Sequence, residues 1–242
     1  MALNTVNGIV VRYANYRDND RILDILTAEM GIVSAAARGC RRQKSPLLSA
    51  SELFVFGEFV LYSTKDRYSV NSCDVRETFY PLRENMARFA AGAYMLSLVQ
   101  AGATAGEKSD AQLSLLYYAL SFTAYADVNP ADMAICFAVR YLSLLGFRPS
   151  LTSCAVCGRG IKQEKLLVFS AESGGAVCSH CSARGRKVSA LSLEALRRML
   201  LLTDGDIKKV SLPERVRDEL KIAVNEYAEH VLERRFKAMD AL

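Results

Sequence analysis

The sequence predicts an α+β protein in which a small N-terminal β-barrel precedes an α-helical domain with an inserted four-cysteine module. Three observations lead to this prediction. Residues 5–75 show strand patterning with short turns, and from Leu82 onward the apolar residues recur with helical periodicity. Two Cys-x-x-Cys pairs then lie between helical segments. We expect the barrel at 1–80, the first helical part at 81–150, the cysteine module at 151–186 and the second helical part at 187–242.

Five strands are predicted in the N-terminal region. The segments are apolar or β-branched, and polar or glycine-containing turns separate them, the last at residues 65–67; the segments are 6–13, 22–27, 32–37, 53–64 and 68–73. In the first segment, strict alternation places Val6, Gly8, Val10 and Arg12 on one face of the strand. Gly57 interrupts the fourth segment, which indicates a β-bulge. Five short strands joined by hairpins favour a closed OB-fold barrel, and an SH3-like barrel fits the pattern nearly as well.

Five helices are predicted after the barrel. Two apolar segments, 86–98 and 113–124, have helical periodicity, and Asn129 with Pro130 marks the start of a third helix that runs to Gly146. Further helices open near residues 191–194 and 212–214. The stretch between residues 88 and 107 is uncharged, but serine, threonine, glutamine and glycine interrupt it. We therefore expect helices buried in a soluble bundle and no membrane span.

The cysteine pairs carry the strongest chemical signal in the chain. Each pair can place two thiolates on one cation, and two pairs complete a tetrahedral site. The ligands of the expected structural Zn²⁺ are Cys154, Cys157, Cys178 and Cys181. A redox motif needs only one such pair, and His180, inside the second pair, is an alternative ligand. A site of four sulfurs is closed to substrate, so the motif argues against metal catalysis.

The remaining cysteines do not form a further motif. Cys40, Cys73 and Cys136 are scattered along the chain, as core or surface residues are. An odd number of cysteines without a signal-peptide pattern argues against a secreted disulfide framework. We expect a reducing, cytoplasmic compartment.

The densest basic stretch, residues 38–46, predicts a contact with nucleic acid. The net charge is +5, so the position of the cations matters more than their number. Glycine and proline place this stretch on an exposed loop, and its cations, suited to phosphate contact, are Arg38, Arg41, Arg42 and Lys44. Arg12 and Arg17, with Tyr13 and Tyr16, add charge and stacking nearby. The alternative to nucleic-acid binding is an ordinary solvated basic loop. As candidates for nucleic-acid contact, the basic clusters at 184–187 and 234–237 rank below this loop.

Motifs for catalysis are missing from the sequence. There is no glycine-rich phosphate loop, and the two histidines, His180 and His230, do not form the His-x-Glu motif of zinc deaminases. Asp204, Gly205 and Asp206 fit a turn better than a metal site. The default prediction is a binding protein without enzymatic activity.

Several segments together resemble the RecO family of bacterial recombination mediators. Residues 7–12 (Asn-Gly-Ile-Val-Val-Arg) are similar to the N-terminal signature of that family. The resemblance continues in order through the two cysteine pairs and through residues 17–23, 37–45, 144–149, 169–170, 174–175 and 232–237. One departure is Cys40, where the family usually has a small residue such as alanine. The resemblance covers nearly the whole chain.

This resemblance implies both a fold and a function. It implies an N-terminal OB-fold, a helical domain and a zinc module within it. It implies a nucleoid-associated protein that binds single- and double-stranded DNA, anneals complementary strands and works with RecR. Together these proteins would help RecA to replace single-strand-binding protein on DNA. For the acidic C-terminal tail of single-strand-binding protein, Arg140 and Arg148 are candidate contacts, although ordinary helix-surface charge explains them as well.

Two other functions remain open from the sequence. One is a zinc-stabilised, sequence-specific nucleic-acid-binding regulator, which would not anneal strands. The other is an enzyme with an unrecognised site.

Overall fold

The computed structural model describes residues 2–64, 67–161, 164, 166–181 and 183–242. A closed five-stranded barrel comes first, with strands β1 (Ala2–Tyr16), β2 (Asp20–Thr27), β3 (Gly31–Ala37), β4 (Phe56–Thr64) and β5 (Arg67–Glu77). Their order around the barrel is β1-β2-β3-β5-β4, and a short parallel pairing of β3 with β5 closes it. The predicted OB-type barrel is confirmed. The turn predicted at 65–67 begins with two residues that lie outside the described part.

Strand β1 faces two hydrophobic cores at once. Val6 and Val10 belong to the core inside the barrel, whereas Ile9 and Val11 belong to the core of the helical domain. The register with β2 shifts between Val10 and Arg12, so the alternation predicted for residues 6–13 breaks at this bulge. A second register shift occurs at Gly57, where a bulge was predicted.

The helical domain contains five α-helices. They are α1 (Met86–Gly102), α2 (Asp110–Tyr125), α3 (Pro130–Leu144), α4 (Ala190–Leu201) and α5 (Glu214–Val231). The side chain of Asn129 accepts hydrogen bonds from the backbone N–H groups of Ala131 and Asp132, which confirms the predicted cap of α3. Helix α3 is almost entirely buried and packs against α1, α2, α4 and α5, so it is the central element of the domain.

Helix α3 ends two residues before the predicted Gly146. Gly146 has a φ of +91°, and the N–H of Phe147 donates to the carbonyl of Leu142 at 2.8 Å. The N–H of Gly146 also donates to the carbonyl of Ser143. These two bonds form a Schellman motif, in which glycine tolerates the left-handed conformation that terminates a helix.

The cysteine module lies between α3 and α4, as predicted. Its three-stranded sheet has the order β7-β6-β8, formed by β6 (Leu166–Ser170), β7 (Gly175–Val177) and β8 (Arg186–Ser189). Cys154, Cys178 and Phe169 belong to the same hydrophobic core as helices α1 to α5. The module is therefore packed as part of the helical domain.

The barrel and the helical domain are also joined by hydrogen bonds. Gln100 of α1 donates to the carbonyl of Val11 at 2.7 Å, and the N–H of Ser109 donates to the carbonyl of Ala28, also at 2.7 Å. Gly31 lies so close to the carbonyl of Thr104 that a side chain there would collide with it. Among the described residues, no helix is both long and apolar enough to cross a membrane.

Candidate nucleic-acid interface and metal centre

The four predicted ligand cysteines converge on one point. Their sulfur atoms all lie within 4.8 Å of one another, and the sulfurs of Cys157 and Cys178 are 3.8 Å apart. A tetrahedron with metal–sulfur bonds of about 2.3 Å has sulfur–sulfur edges of about 3.8 Å. The cluster formed by Cys154, Cys157, Cys178 and Cys181 therefore fits a tetrahedral metal ion.

Electrostatics within the cluster favour a bound cation. Burial disfavours the Cys154 thiolate, but backbone N–H groups, that of Cys178 first, donate to its sulfur and lower its pKa to about 6. The pKa of Cys181 is raised to about 12, chiefly by hydrogen bonds with the side chains of Cys157 and Cys178. Four thiolates at this spacing repel one another, so a cation is needed to hold all of them deprotonated.

The alternative ligand His180 and the three cysteines outside the cluster differ in their exposure. His180 is exposed and shares a second possible group with Glu164 and Cys178, next to the complete set of four sulfurs. Cys40 and Cys136 are buried and Cys73 is half-buried, as expected of structural residues. Burial raises the pKa of the Cys136 thiol to about 12, so this group is unreactive.

A groove of about 640 Å³ opens on the barrel where β1, β2, β3 and β5 meet. It brings together residues from distant parts of the sequence, which are Tyr16, Arg17, Asp20, Ile22, Ser34, Ala36, Arg38, Thr64, Arg67, Tyr68 and Ser69. Three guanidinium groups and two aromatic rings thus line one surface. Cations with aromatic rings are what binding of single-stranded nucleic acid requires. We call this surface the barrel groove.

The predicted basic loop is anchored beside the barrel groove. Asp20 accepts a hydrogen bond from the N–H of Gly39 at 2.7 Å, and the N–H of Arg41 donates to the carbonyl of Asn19 at 3.0 Å. The guanidinium of Arg41 donates to the carbonyl of Asp18. The backbone of the loop is therefore held against the β1–β2 turn, and so are the guanidinium of Arg41 and the points from which the other cations extend.

Three predicted cations of the loop are free for phosphate contact. Arg38, Arg42 and Lys44 are exposed and make no ion pair within the described part of the chain. Of these, Arg38 lines the barrel groove itself. An exposed guanidinium or ammonium group without a carboxylate partner keeps its charge available for a nucleic-acid backbone.

The two predicted neighbours on β1 have different surroundings. Arg17 lies in the barrel groove, with its guanidinium 5.2 Å from the ring centroid of Tyr16. Arg12 is exposed but forms an ion pair with Asp24 at 3.1 Å, outside the residues that line the groove. The β-bulge at the preceding residues turns Arg12 away from the direction that strict alternation predicted.

Sequence reasoning missed the contribution of β5 to this surface. The sequence predicts a turn at Arg67 and the start of a strand at Tyr68 and singles out neither for binding, yet both line the barrel groove. The backbone pairing of Tyr68 with Ala35 of β3 brings them there. The signal in the sequence is the pair of an arginine and a tyrosine, Arg67 and Tyr68, at the start of a strand. Because the pair is far from Arg38 in the sequence, it does not indicate a shared surface with the basic loop.

Two further grooves flank helix α4. One, of about 320 Å³, is lined mainly by apolar side chains of α4 and of residues 210–216. Arg198 and Lys209 also line it, and they form ion pairs with Glu194, itself a lining residue, and with Asp206. The other, of about 630 Å³, contains Arg148 together with Arg197 and Leu201. Apolar side chains are exposed on this helix, since Leu201 is 78% exposed. We call the first of these the α4 groove.

Arg140 and Arg148, the predicted partner contacts, differ in their surroundings. Arg140 forms an ion pair with Asp204 at 2.7 Å and donates to the carbonyl groups of Met199 and Leu202. Arg140 therefore stabilises the C-terminal end of α4. Arg148 is exposed and lines the groove on the other side of α4.

Comparison with known proteins agrees with this architecture. A family model described as Recombination protein O N terminal matches residues 1–79, and one described as Recombination protein O C terminal matches residues 83–240. The DNA repair protein RecO of Symbiobacterium thermophilum is 35% identical over 246 positions, which cover 100% of this chain and 97% of that protein. The DNA repair protein RecO of Acetivibrio thermocellus is 31% identical, covering 97% of this chain and 94% of that protein. The resemblance read from the sequence is confirmed, and the chain belongs to the RecO family of DNA repair proteins.

Proposed function

We propose that this chain is a recombination mediator that binds single- and double-stranded DNA and anneals complementary strands. It would act with RecR to help RecA replace single-strand-binding protein, in the cytoplasm and at the nucleoid. The observation that carries the proposal is the barrel groove, where Arg17, Arg38 and Arg67 lie with Tyr16 and Tyr68. Arginines attract any phosphate backbone and aromatic rings stack on any base, so binding there is tolerant of sequence.

Annealing by a mediator needs no catalytic group. Two strands must be held close enough to pair, and their mutual repulsion must be reduced. The cations of the anchored loop supply that charge beside the groove, and those we assign to phosphate contact are Arg38, Arg41, Arg42 and Lys44, with Arg12 and Arg17 as neighbours. Because the loop is tied to Asp20 and Asn19, these charges are placed before DNA arrives.

We assign structural Zn²⁺ to the four-cysteine site. The sulfur spacing fits the tetrahedral geometry, and four thiolates leave no open position for water or substrate. Cys154 and Cys178 would link the ion to the hydrophobic core, and Cys157 and Cys181 would close the site from the outer side. The ion would supply folding stability to the module.

We place the acidic tail of single-strand-binding protein in the α4 groove. An acidic peptide with apolar side chains needs an apolar floor and a basic rim. Met199, Leu212 and Val216 supply the floor, while Arg198 and Lys209 would supply the rim by exchanging their exposed ion pairs with Glu194 and Asp206 for carboxylates of the peptide. Arg140 would act indirectly by holding the end of α4, and Arg148 would extend the basic rim on the other side of the helix.

Replacement of the loop cations Arg38, Arg41, Arg42 and Lys44 by alanine should abolish annealing of strands coated with single-strand-binding protein. The slope of log K against log salt for single-stranded DNA should also fall by about 2–3, because each lost phosphate contact removes about 0.7. Fluorescence annealing assays and salt titrations of DNA binding measure these two effects.

A variant with alanine at Lys108, Lys208, Arg215 and Lys221 loses the same number of positive charges from the helical domain and serves as the control. It should anneal normally. Equal annealing by both variants would keep the function but move the DNA site away from the loop. Absence of annealing by the intact chain would instead favour a sequence-specific regulator.

Charge reversal at the rim of the α4 groove should weaken binding of the acidic tail peptide. The double variant Arg198→Glu and Lys209→Glu places two carboxylates against an acidic ligand, so we expect at least about a tenfold loss of affinity. Fluorescence anisotropy with a labelled tail peptide measures it. The control Lys187→Glu and Lys221→Glu makes the same charge change elsewhere, and an equal loss in that variant would refute the assignment.

A further inference from the structure

Three helices end at a groove on the face of the helical domain next to the barrel. The groove has a volume of about 500 Å³ and is open to solvent. Helix α1 reaches it through Gly102, α3 through Leu144 and α5 through Val231, which are the last residues of these three helices. We call it the helix-end groove.

The helix-end groove is electronegative. The C-terminal end of a helix carries roughly half a negative charge, although N–H groups of the following residues already cap the carbonyls of Leu142, Ser143 and Glu229 here. The exposed carboxylates of Glu107 and Glu233 add two full charges. Among the described residues, no lysine or arginine lines this groove. Lys108 and Arg234 follow the two glutamates in sequence but do not line it.

The N-terminus of helix α2 also lies at the helix-end groove, and its partial positive charge offsets the negative charge there only in part. Helix α2 contributes Gln112 from its first turn. That turn also carries the carboxylate of Asp110, which offsets the positive end of the helix. The side chains that line the groove therefore carry net negative charge.

Two large apolar side chains line the groove, and hydrogen bonds fix the backbone of one of them. Leu144 is 46% exposed and Phe147 is 45% exposed. Phe147 is fixed at both backbone groups, since its N–H donates to Leu142 and its carbonyl accepts a hydrogen bond from the hydroxyl of Tyr227. The Schellman turn at Gly146 thus fixes the backbone that carries Phe147, which lowers the entropic cost of binding.

We propose that the helix-end groove docks a basic segment of a partner protein, with one arginine or lysine side chain entering it. The aliphatic stem would lie along Leu144 and Phe147, and the charged head would meet the carboxylates of Glu107 and Glu233 at the helix ends. Long basic side chains bind in this manner, with the stem on apolar surface and the head at polar groups. A phosphate backbone would be repelled here, so this surface is distinct from the barrel groove.

The test uses the full chain and a synthetic octapeptide with one arginine between leucine and phenylalanine. A second peptide carries citrulline, the neutral isostere, in place of arginine. Amide chemical shifts in an NMR titration should change around Gly146, Phe147 and Glu233, and the citrulline peptide should bind at least about tenfold more weakly. Changes centred elsewhere, equal binding of both peptides or no binding would overturn the proposal.

Two double variants distinguish the effect of the groove carboxylates from the effect of the protein's net charge. Glu107→Gln with Glu233→Gln should weaken arginine-peptide binding about tenfold, because two exposed charges are lost. Glu84→Gln with Glu172→Gln changes the net charge equally at exposed positions outside the groove and should bind as the intact chain does. Equal weakening in both variants would show that the groove is not the site.

Discussion

Removal of the proposed Zn²⁺ from the four-cysteine site should unfold the module between α3 and α4. It should also lower the melting temperature of the helical domain by more than about 10 °C, since structural zinc contributes about 10–16 kcal/mol in isolated fingers and 1 kcal/mol corresponds to about 2–4 °C at this size. Cys154 and Cys178 lie in the core shared with α3, so the loss spreads beyond the module. Calorimetry before and after chelation, with metal analysis of the purified chain, measures both effects.

Cysteine variants provide the control for this experiment. Cys154→Ser removes one ligand and should reproduce the effect of chelation. Cys73→Ser changes a half-buried cysteine of the barrel outside the cluster and should leave both the metal content and the response to chelator unchanged. A chain that contains no metal and melts identically with and without chelator would rule out the zinc assignment.

Replacement of Asp132 by alanine should destabilise the chain by about 3–5 kcal/mol, which is the usual cost of breaking a buried ion pair on one side. The side chain of Asp132 is 1% exposed and accepts from Arg217 at 2.6 Å and from the N–H of Leu212 at 2.9 Å. It thereby joins α3 to the start of α5, and its hydrogen bond raises the pKa of Arg217. The midpoint of urea unfolding, at constant m-value, measures the loss.

Two matched variants sharpen this second prediction. Asp132→Asn keeps an acceptor for the Leu212 N–H but loses the charge, so its effect should be smaller than that of alanine. Asp127→Ala removes an exposed carboxylate close in sequence and should change stability by less than about 0.5 kcal/mol. Similar losses for Asp127→Ala and Asp132→Ala would contradict the role of the buried pair.

Local signals predicted the elements with a strong pattern. The Asn129–Pro130 cap, the bulge at Gly57 and the cysteine spacing all depend on residues near one another in the chain. Each is decided by backbone geometry within a few residues or by the ligand preference of a metal ion. The bulge at Val10 to Arg12 has no glycine or proline to mark it, so alternation alone gave the wrong face for Arg12.

The candidate sites depended much more on the fold. Arg38 was predicted from the density of charge in its loop, whereas its partners in the barrel groove, Arg67 and Tyr68, come from a strand that pairs with β3. Arg140 is a predicted partner contact, but its guanidinium is already bound to Asp204 and to the C-terminal end of α4. No local pattern shows which arginine keeps its charge free.

The OB-type barrel, the helical domain, the four-cysteine module and the family could all be predicted from residues, because each has a signature in chain order. The set of cations and rings that share the barrel groove, and the meeting of three helix C-termini beside Glu107 and Glu233, became visible in the folded chain alone. The difference lies in distance along the chain. Periodicity and motif spacing report interactions within a few residues, whereas a binding surface is formed by side chains that long-range packing brings together.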